Sequence, residues 1–175
     1  MNDILKRAGM VECKVLSTPI SVMKSVPFSA DLYEDPTEYR SLAGALLYLT
    51  ITCPDLSFTV NQLCQHMHDP TTSHWEQLKR VLRYVKGTID FGLCIRKSVS
   101  QEIHAFSDSD WAGCLEDRES TSGNAVFLGS NLVFWVCKKQ RTIVRSSTNK
   151  AEYKDLADVY MLRLSGFSYL FTSCD

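Results

Sequence analysis

At Gly87 the apolar residues change from a helical spacing to a spacing of two, and this switch constrains the fold more than any other feature. Before it, three helix starts are written in turn chemistry. Asp35-Pro36-Thr37-Glu38 offers an N-cap, a proline at the first helical position and an acid in the first turn. The helix that follows sets Leu42, Leu46 and Leu49 on one face, with Ala43 and Leu47 beside them. Pro54 restarts the chain into a second helix carrying Val60, Leu63, Cys64 and Met67. Asp69-Pro70-Thr-Thr-Ser73 caps a third, with Trp75, Leu78, Leu82 and Val85 inward and Gly87 as its stop. Ahead of these, Asn2 to Met10 reads as a short helix ending at Gly9, and Ser17-Thr-Pro-Ile20 reads as extended.

After Gly87, Phe91 to Arg96, Glu102 to Ser107, Ser122 to Leu128 and Leu132 to Lys138 read as strands, with Arg141 to Arg145 a fifth. Gly129-Ser-Asn131 is a turn signal that makes a hairpin of the third and fourth. A final helix starts near Ser147 to Asn149 and turns Ala151, Leu156, Val159 and Met161 or Leu162 towards the sheet. The fold class is α+β: an N-terminal three-helix unit over residues 1–95, then a sheet with one packed helix over 96–175.

Bulk properties narrow the partners. A formal net charge of −1 excludes a chain-wide basic nucleic-acid binder. The cations are nevertheless clustered, as Lys79, Arg80, Arg83 and Lys86 and again as Lys138, Lys139, Arg141, Arg145 and Lys150, with no acid inside either run. Lys79, Arg83 and Lys86 follow i, i+4 and i+7 and share a helix face, which suits a phosphate backbone and equally suits an ordinary solvated face. The seven cysteines form no C-x-x-C pair, so they read as reduced thiols. No signal peptide opens the chain and no apolar run is long enough for a bilayer, which points to an intracellular chain, not secreted and without a membrane partner.

The chemistry-bearing stretch runs from Ile103 to Tyr153. Asp108 and Asp110 close an alternating strand, and Glu152 lies in the first turn of the last helix. Hydrolysis of a phosphodiester by paired Mg²⁺ ions needs several carboxylates converging on ions about 3.5–4 Å apart. A strand-borne Asp and a helix-borne Glu can meet part of that need. Equally, Asp108-Ser-Asp110 can be a turn, and Glu152 can complete a capping box with Asn149. Asp108, Asp110, Gly113 and Glu119 also fall at the calcium-loop positions one, three, six and twelve. Ala112 offers no oxygen at position five, however, and a strand precedes the loop where a helix is required. His66, His68, His74 and His104 read as helix-end and surface residues, and no serine has a paired base.

Seven ordered motifs carry a resemblance. They are Tyr39-Arg-Ser-Leu-Ala-Gly-Ala-Leu-Leu-Tyr-Leu49, Thr52-Cys-Pro-Asp-Leu-Ser-Phe58, Trp75 to Gly87, Ser107-Asp-Ser-Asp-Trp-Ala-Gly113, Ser120-Thr-Ser-Gly123, Lys138-Lys-Gln140 and Ala151-Glu-Tyr153. Together they resemble the Pol polyprotein of Ty1/copia-type retrotransposons, across nearly the whole chain. The resemblance implies that residues 1–95 are the tail of the reverse transcriptase region, without its polymerase aspartates. It implies that 96–175 are a truncated RNase H-like mixed sheet with one packed helix. Asp108, or less directly Asp110, would be the first catalytic Asp and Glu152 the catalytic Glu. They would hold Mg²⁺ on an RNA–DNA hybrid, with Lys79, Arg80, Arg83, Lys86, Lys138, Lys139 and Arg141 as nucleic-acid contacts. The family's further Asp, in an Asp-Asn pair, is not among these residues. The implied protein is therefore a catalytically silent Pol fragment. The alternatives are a residual Mg²⁺-dependent ribonuclease and a non-catalytic nucleic-acid-binding module. An incomplete domain would also leave Val126, Phe134 and Leu156 under-covered.

Overall fold

The computed structural model describes residues 1–20, 31–100, 102–109 and 121–139, which fall in two compact units, Met1–Leu93 and Cys94–Asp175. The first holds four α-helices rather than three: α1 (Asn2–Arg7), α2 (Pro36–Leu49), α3 (Ser57–Gln65) and α4 (Thr72–Gly87), with a 3₁₀ turn at Pro54–Leu56 leading into α3. Among the described residues no helix is long and apolar enough to cross a membrane.

The additional helix is built by its termination. Gly9 takes φ 62°, a left-handed conformation that costs glycine little. The Gly9 amide then reaches the Lys6 carbonyl and the Met10 amide reaches the Leu5 carbonyl, the paired bonds of a Schellman stop. That stop fixes Ile4 and Leu5 against the core, where both are buried. One six-residue helix alone is marginal in water; burial of these two side chains holds it.

Helix α2 starts as its sequence demands. Asp35 Oδ1 accepts from the Thr37 and Glu38 amides at 3.0 and 2.9 Å, and Pro36 loses no hydrogen bond at N1. Tyr39, Leu42, Ala43 and Leu46 face inward. Tyr39 is fully buried and its hydroxyl donates to the Leu63 carbonyl at 2.9 Å, which satisfies a polar group that burial would otherwise penalise. Leu47, expected beside the inner face, is 47% exposed. Its helix is apolar on both sides from Leu42 to Leu49, so composition could not say which face turned in.

Helix α4 begins with a reciprocal cap. The His74 amide donates to Thr71 Oγ1 at 3.4 Å and the Thr71 amide donates to His74 Nδ1 at 3.1 Å. A histidine thus fills the place that Glu or Gln usually takes in a capping box. This corrects the surface reading of His74, which is buried and stacks on His66 with ring centroids 3.7 Å apart. Leu78, Val81, Leu82 and Val85 then close the core against Val60 and Leu63.

The second unit contains a three-stranded sheet in the order β1-β2-β3, with β1 (Ile103–Ser109), β2 (Thr121–Leu128) and β3 (Asn131–Lys139). Both pairings are antiparallel, so among the described residues the sheet is not mixed. The fifth strand and the packed final helix lie outside the described residues. Along β2 the burial alternates, with Ser122, Asn124 and Val126 buried. Val126, at 4% exposure, is not under-covered as expected.

Phe91 to Arg96 is not a strand. The alternation Phe-Gly-Leu-Cys-Ile-Arg imitates one, but its only described tie to the sheet is a side chain. Asn131 Oδ1 accepts from the Arg96 amide at 2.8 Å, and Asn131 Nδ2 donates to the Arg96 carbonyl at 2.7 Å. The side-chain amide copies a peptide group and replaces a backbone ladder. The expected hairpin does form: β2 and β3 meet through Gly129, which takes φ 57°.

Candidate functional site

Asp108 is the next-to-last residue of β1. The register sets it opposite Gly123, which in turn lies opposite Cys137 on β3. Alternation places His104, Phe106 and Asp108 on one face of the sheet with their cross-strand partners Gly123, Ala125 and Phe127. This is the open face, because Ser122, Asn124 and Val126 turn to the buried one. Phe106 and Phe127, diagonal neighbours, meet edge to face at 5.8 Å, a geometry aromatic quadrupoles favour.

Among the described residues, β2 sets no side chain opposite Asp108. Gly123 has no side chain, and among the described residues a Cβ built there would have the Asp108 carbonyl oxygen, at 4.0 Å, as its only near neighbour. The exposed Asp108 carboxylate is a hard oxygen donor with free approach, which fits one position in a Mg²⁺ shell. Among the described residues no three His, Cys, Asp or Glu side chains come together in a way that could hold a metal. Asp110 and Glu152, the other carboxylates read from the sequence, lie outside the described residues, as do Gly113 and Glu119 of the calcium-loop reading.

The cations of α4 are more engaged than their spacing suggests. Lys79 pairs with Glu76, one turn before it, and its Nζ lies 6.0 Å from the Trp75 ring centroid. Arg80 Nη2 donates to Thr18 Oγ1 at 2.9 Å, and Lys86 Nζ donates to the Cys13 carbonyl at 2.7 Å. Arg83 is exposed. Lys138 and Lys139 close β3 opposite Ser122 and Thr121, and Arg141 lies outside the described residues.

Sequence patterning gave no signal for a cavity of about 250 Å³ in the helical unit, lined by Cys53, Asp55, Leu56, Tyr84, Phe91 and Leu93 among others. Its polar feature is Tyr84, whose hydroxyl donates to Asp55 Oδ2 at 2.7 Å. That bond, with burial second, pushes the phenol up to about 12. Nearby in sequence, burial pushes the Cys64 thiol up to about 11. A thiol raised in the fold favours its neutral form, so its contribution to stability is present below pH about 9 and fades as pH rises towards 11. Because the thiolate is the nucleophile, iodoacetamide at pH 8 is expected to label exposed Cys94 well before Cys64, read by peptide mass mapping. Equal rates at the two sites would contradict that assignment.

Comparison with known proteins agrees with the motifs. The chain is 51% identical over 155 residues to an uncharacterized mitochondrial protein of Arabidopsis thaliana, AtMg00810, covering 89% of this chain and 64% of that one. It is 46% identical over 157 residues to the retrovirus-related Pol polyprotein from transposon RE2 of the same plant, covering 89% of this chain and 11% of the polyprotein. A Plasmopara viticola protein named secreted RxLR effector protein 161 is 44% identical over 121 residues, 69% of this chain and 84% of that one. No protein-family model matches the chain, and no solved structure matches it. The relatives are retrovirus-related Pol proteins of copia-type elements and sequences akin to them, and the chain belongs to that family.

Proposed function

We propose that residues 96–175 are an RNase H-like module of a copia-type Pol protein, with Asp108 and Glu152 as its inherited metal-binding carboxylates and Asp110 a secondary candidate. The observation that carries this reading is the position of Asp108 on the open face at the end of β1, beside the gap at Gly123. When bound, Mg²⁺ supplies a hydroxide nucleophile and stabilises the leaving oxygen of an RNA strand. The chain's own contribution is to hold a hard oxygen ligand on a rigid strand and leave space for a phosphate. These 175 residues carry fewer of the family's carboxylates than paired ions need. On the helix expected from the sequence there, Asp155 and Asp158, at +3 and +6 from Glu152, would not all share one face with it. The 175-residue chain is therefore a silent form of the site.

Two measurements separate the parts of this reading. Mn²⁺ added to the chain is expected to broaden the amide signals of Ser107, Asp108 and Gly123, and Asp108→Asn is expected to abolish the effect. Absence of broadening removes Asp108 as a ligand. With a labelled RNA–DNA hybrid and Mg²⁺, the chain is expected to release no product. Cleavage that Asp108→Asn abolishes would overturn silence and keep the site; cleavage that survives it would remove the site.

A further inference from the structure

We infer that Thr18 is a phosphoacceptor for a proline-directed serine/threonine kinase, and that Arg80 of α4 receives the phosphate. This inference does not rest on the RNase H-like reading, since every residue involved belongs to the helical unit.

The acceptor offers what such a kinase reads. Pro19 follows Thr18, and a residue before proline is held in extended backbone, the form in which a kinase cleft takes its substrate. Thr18 is exposed and lies outside every described helix and strand. Its segment is also lightly held. Residues 11–20 include no buried residue. They lie on α4 through the Arg80 to Thr18 and Lys86 to Cys13 bonds and a long bond from the Leu16 amide to the Arg83 carbonyl at 3.4 Å. Local opening that delivers Thr18 to a cleft therefore breaks few bonds.

The step is a phosphoryl transfer. Thr18 Oγ1 attacks the γ-phosphorus of ATP, and the bond from that phosphorus to the bridging oxygen breaks. ADP leaves with the electron pair, and the hydroxyl proton passes to the catalytic carboxylate of the kinase.

The receiver is already in position. Arg80 Nη2 donates to Thr18 Oγ1 at 2.9 Å. Arg80 Nε lies on the same edge of the guanidinium. Among the described residues it is shut off from solvent with no hydrogen-bond partner, a donor that costs free energy while unmade. Arginine meets a phosphate with two parallel N–H groups, so a phosphate on Thr18 gives both nitrogens of this edge a charged acceptor. The Thr18 hydroxyl gives up its bond to the Ile20 carbonyl at 3.1 Å, a neutral bond exchanged for charged ones. No acid lies between Cys13 and Ile20 or between Gln77 and Gly87, and Glu76 is paired with Lys79. Arg83, one turn on from Arg80, is exposed and adds to the positive field. Phosphorylation thus fastens the segment to α4.

The test incubates the whole chain with a recombinant proline-directed kinase and Mg²⁺-ATP, then uses peptide mass mapping and phosphorus NMR. Phosphate is expected on Thr18, and Pro19→Ala is expected to cut its incorporation about tenfold. A phosphothreonine ordinarily takes its second charge at about pH 6. The guanidinium against it is expected to lower that midpoint by about 0.5. Arg80→Gln is expected to abolish the lowering and Arg80→Lys to keep part of it, with the phosphorylated chain in urea as the reference where a variant does not fold. Amide exchange at Leu16 is expected to slow about tenfold on phosphorylation. A chain left unmodified at Thr18 would overturn the acceptor, whether or not a peptide of residues 11–20 is labelled, as would labelling indifferent to Pro19→Ala. A midpoint unmoved from its value in urea, or a Leu16 amide that does not slow, would overturn the receiver.

Discussion

Gly129→Ala is expected to unfold the sheet unit while leaving the helical unit's circular dichroism in place. Two effects coincide at this residue. Its φ of 57° is a conformation that costs an ordinary L-residue about 1–2 kcal/mol. A Cβ there would also stand 2.0 Å from Ser98 Oγ and 2.4 Å from the Ser100 carbonyl oxygen. The second of these is backbone and cannot swing away as a side chain can. Moreover, the Gly129 amide donates to the Glu102 carbonyl at 2.8 Å, so any shift that relieves the clash pulls apart the bond that joins the hairpin tip to the start of β1. The combined cost should reach about 3 kcal/mol or more, near the top of what single substitutions cause. Loss of amide protection across β2 and β3 with helical signals retained is the expected readout. A variant with wild-type protection at Val126 would refute it.

Leu46→Ala and Leu47→Ala, adjacent in sequence, should behave as opposites. Leu46 is fully buried among Leu42, Leu63 and Leu82, whereas Leu47 is 47% exposed. Truncating the first removes transfer energy and leaves a cavity, for a loss of about 3 kcal/mol. Truncating the second should cost less than about 0.5 kcal/mol, the usual scale at the surface. Urea unfolding followed at 222 nm measures both. Similar midpoints for the two variants would mean that α2 is turned about its axis from the orientation described.

These two cases also mark what the sequence could tell. The start of α2 was legible because Asp35 and Pro36 act locally, on amides two and three residues away. The choice between Leu46 and Leu47 was not, because both neighbours are leucine and only packing separates them. His74 was rightly read at a helix end but not as buried, for a related reason: a histidine three residues past Thr71 carries no strong capping signal, and the His66 ring that stacks on it comes from another helix end. The false strand at Phe91 shows the limit of alternation, since a strand needs a backbone partner and the described one is a side chain. In the candidate site, the end of β1 was legible from its period of two. The gap beside Asp108 was not, because it depends on which residue of β2 lies across. The bonds from Arg80 to Thr18 and from Lys86 to Cys13 were invisible for the same cause, as they join residues more than sixty apart in sequence.

The Asn131 side chain has a consequence for how the sheet unit opens. A strand pairing frays from its end, one rung after another, and intermediate lengths are all allowed. The tie between Arg96 and the sheet is a single rung made of one rotatable amide. It can only be latched or released, and a turn about one side-chain bond decides which. Aspartate, with no donor, would hold the Arg96 amide and repel its carbonyl, half a latch at best. The segment after the helical unit thus carries a two-position catch whose setting depends on one residue.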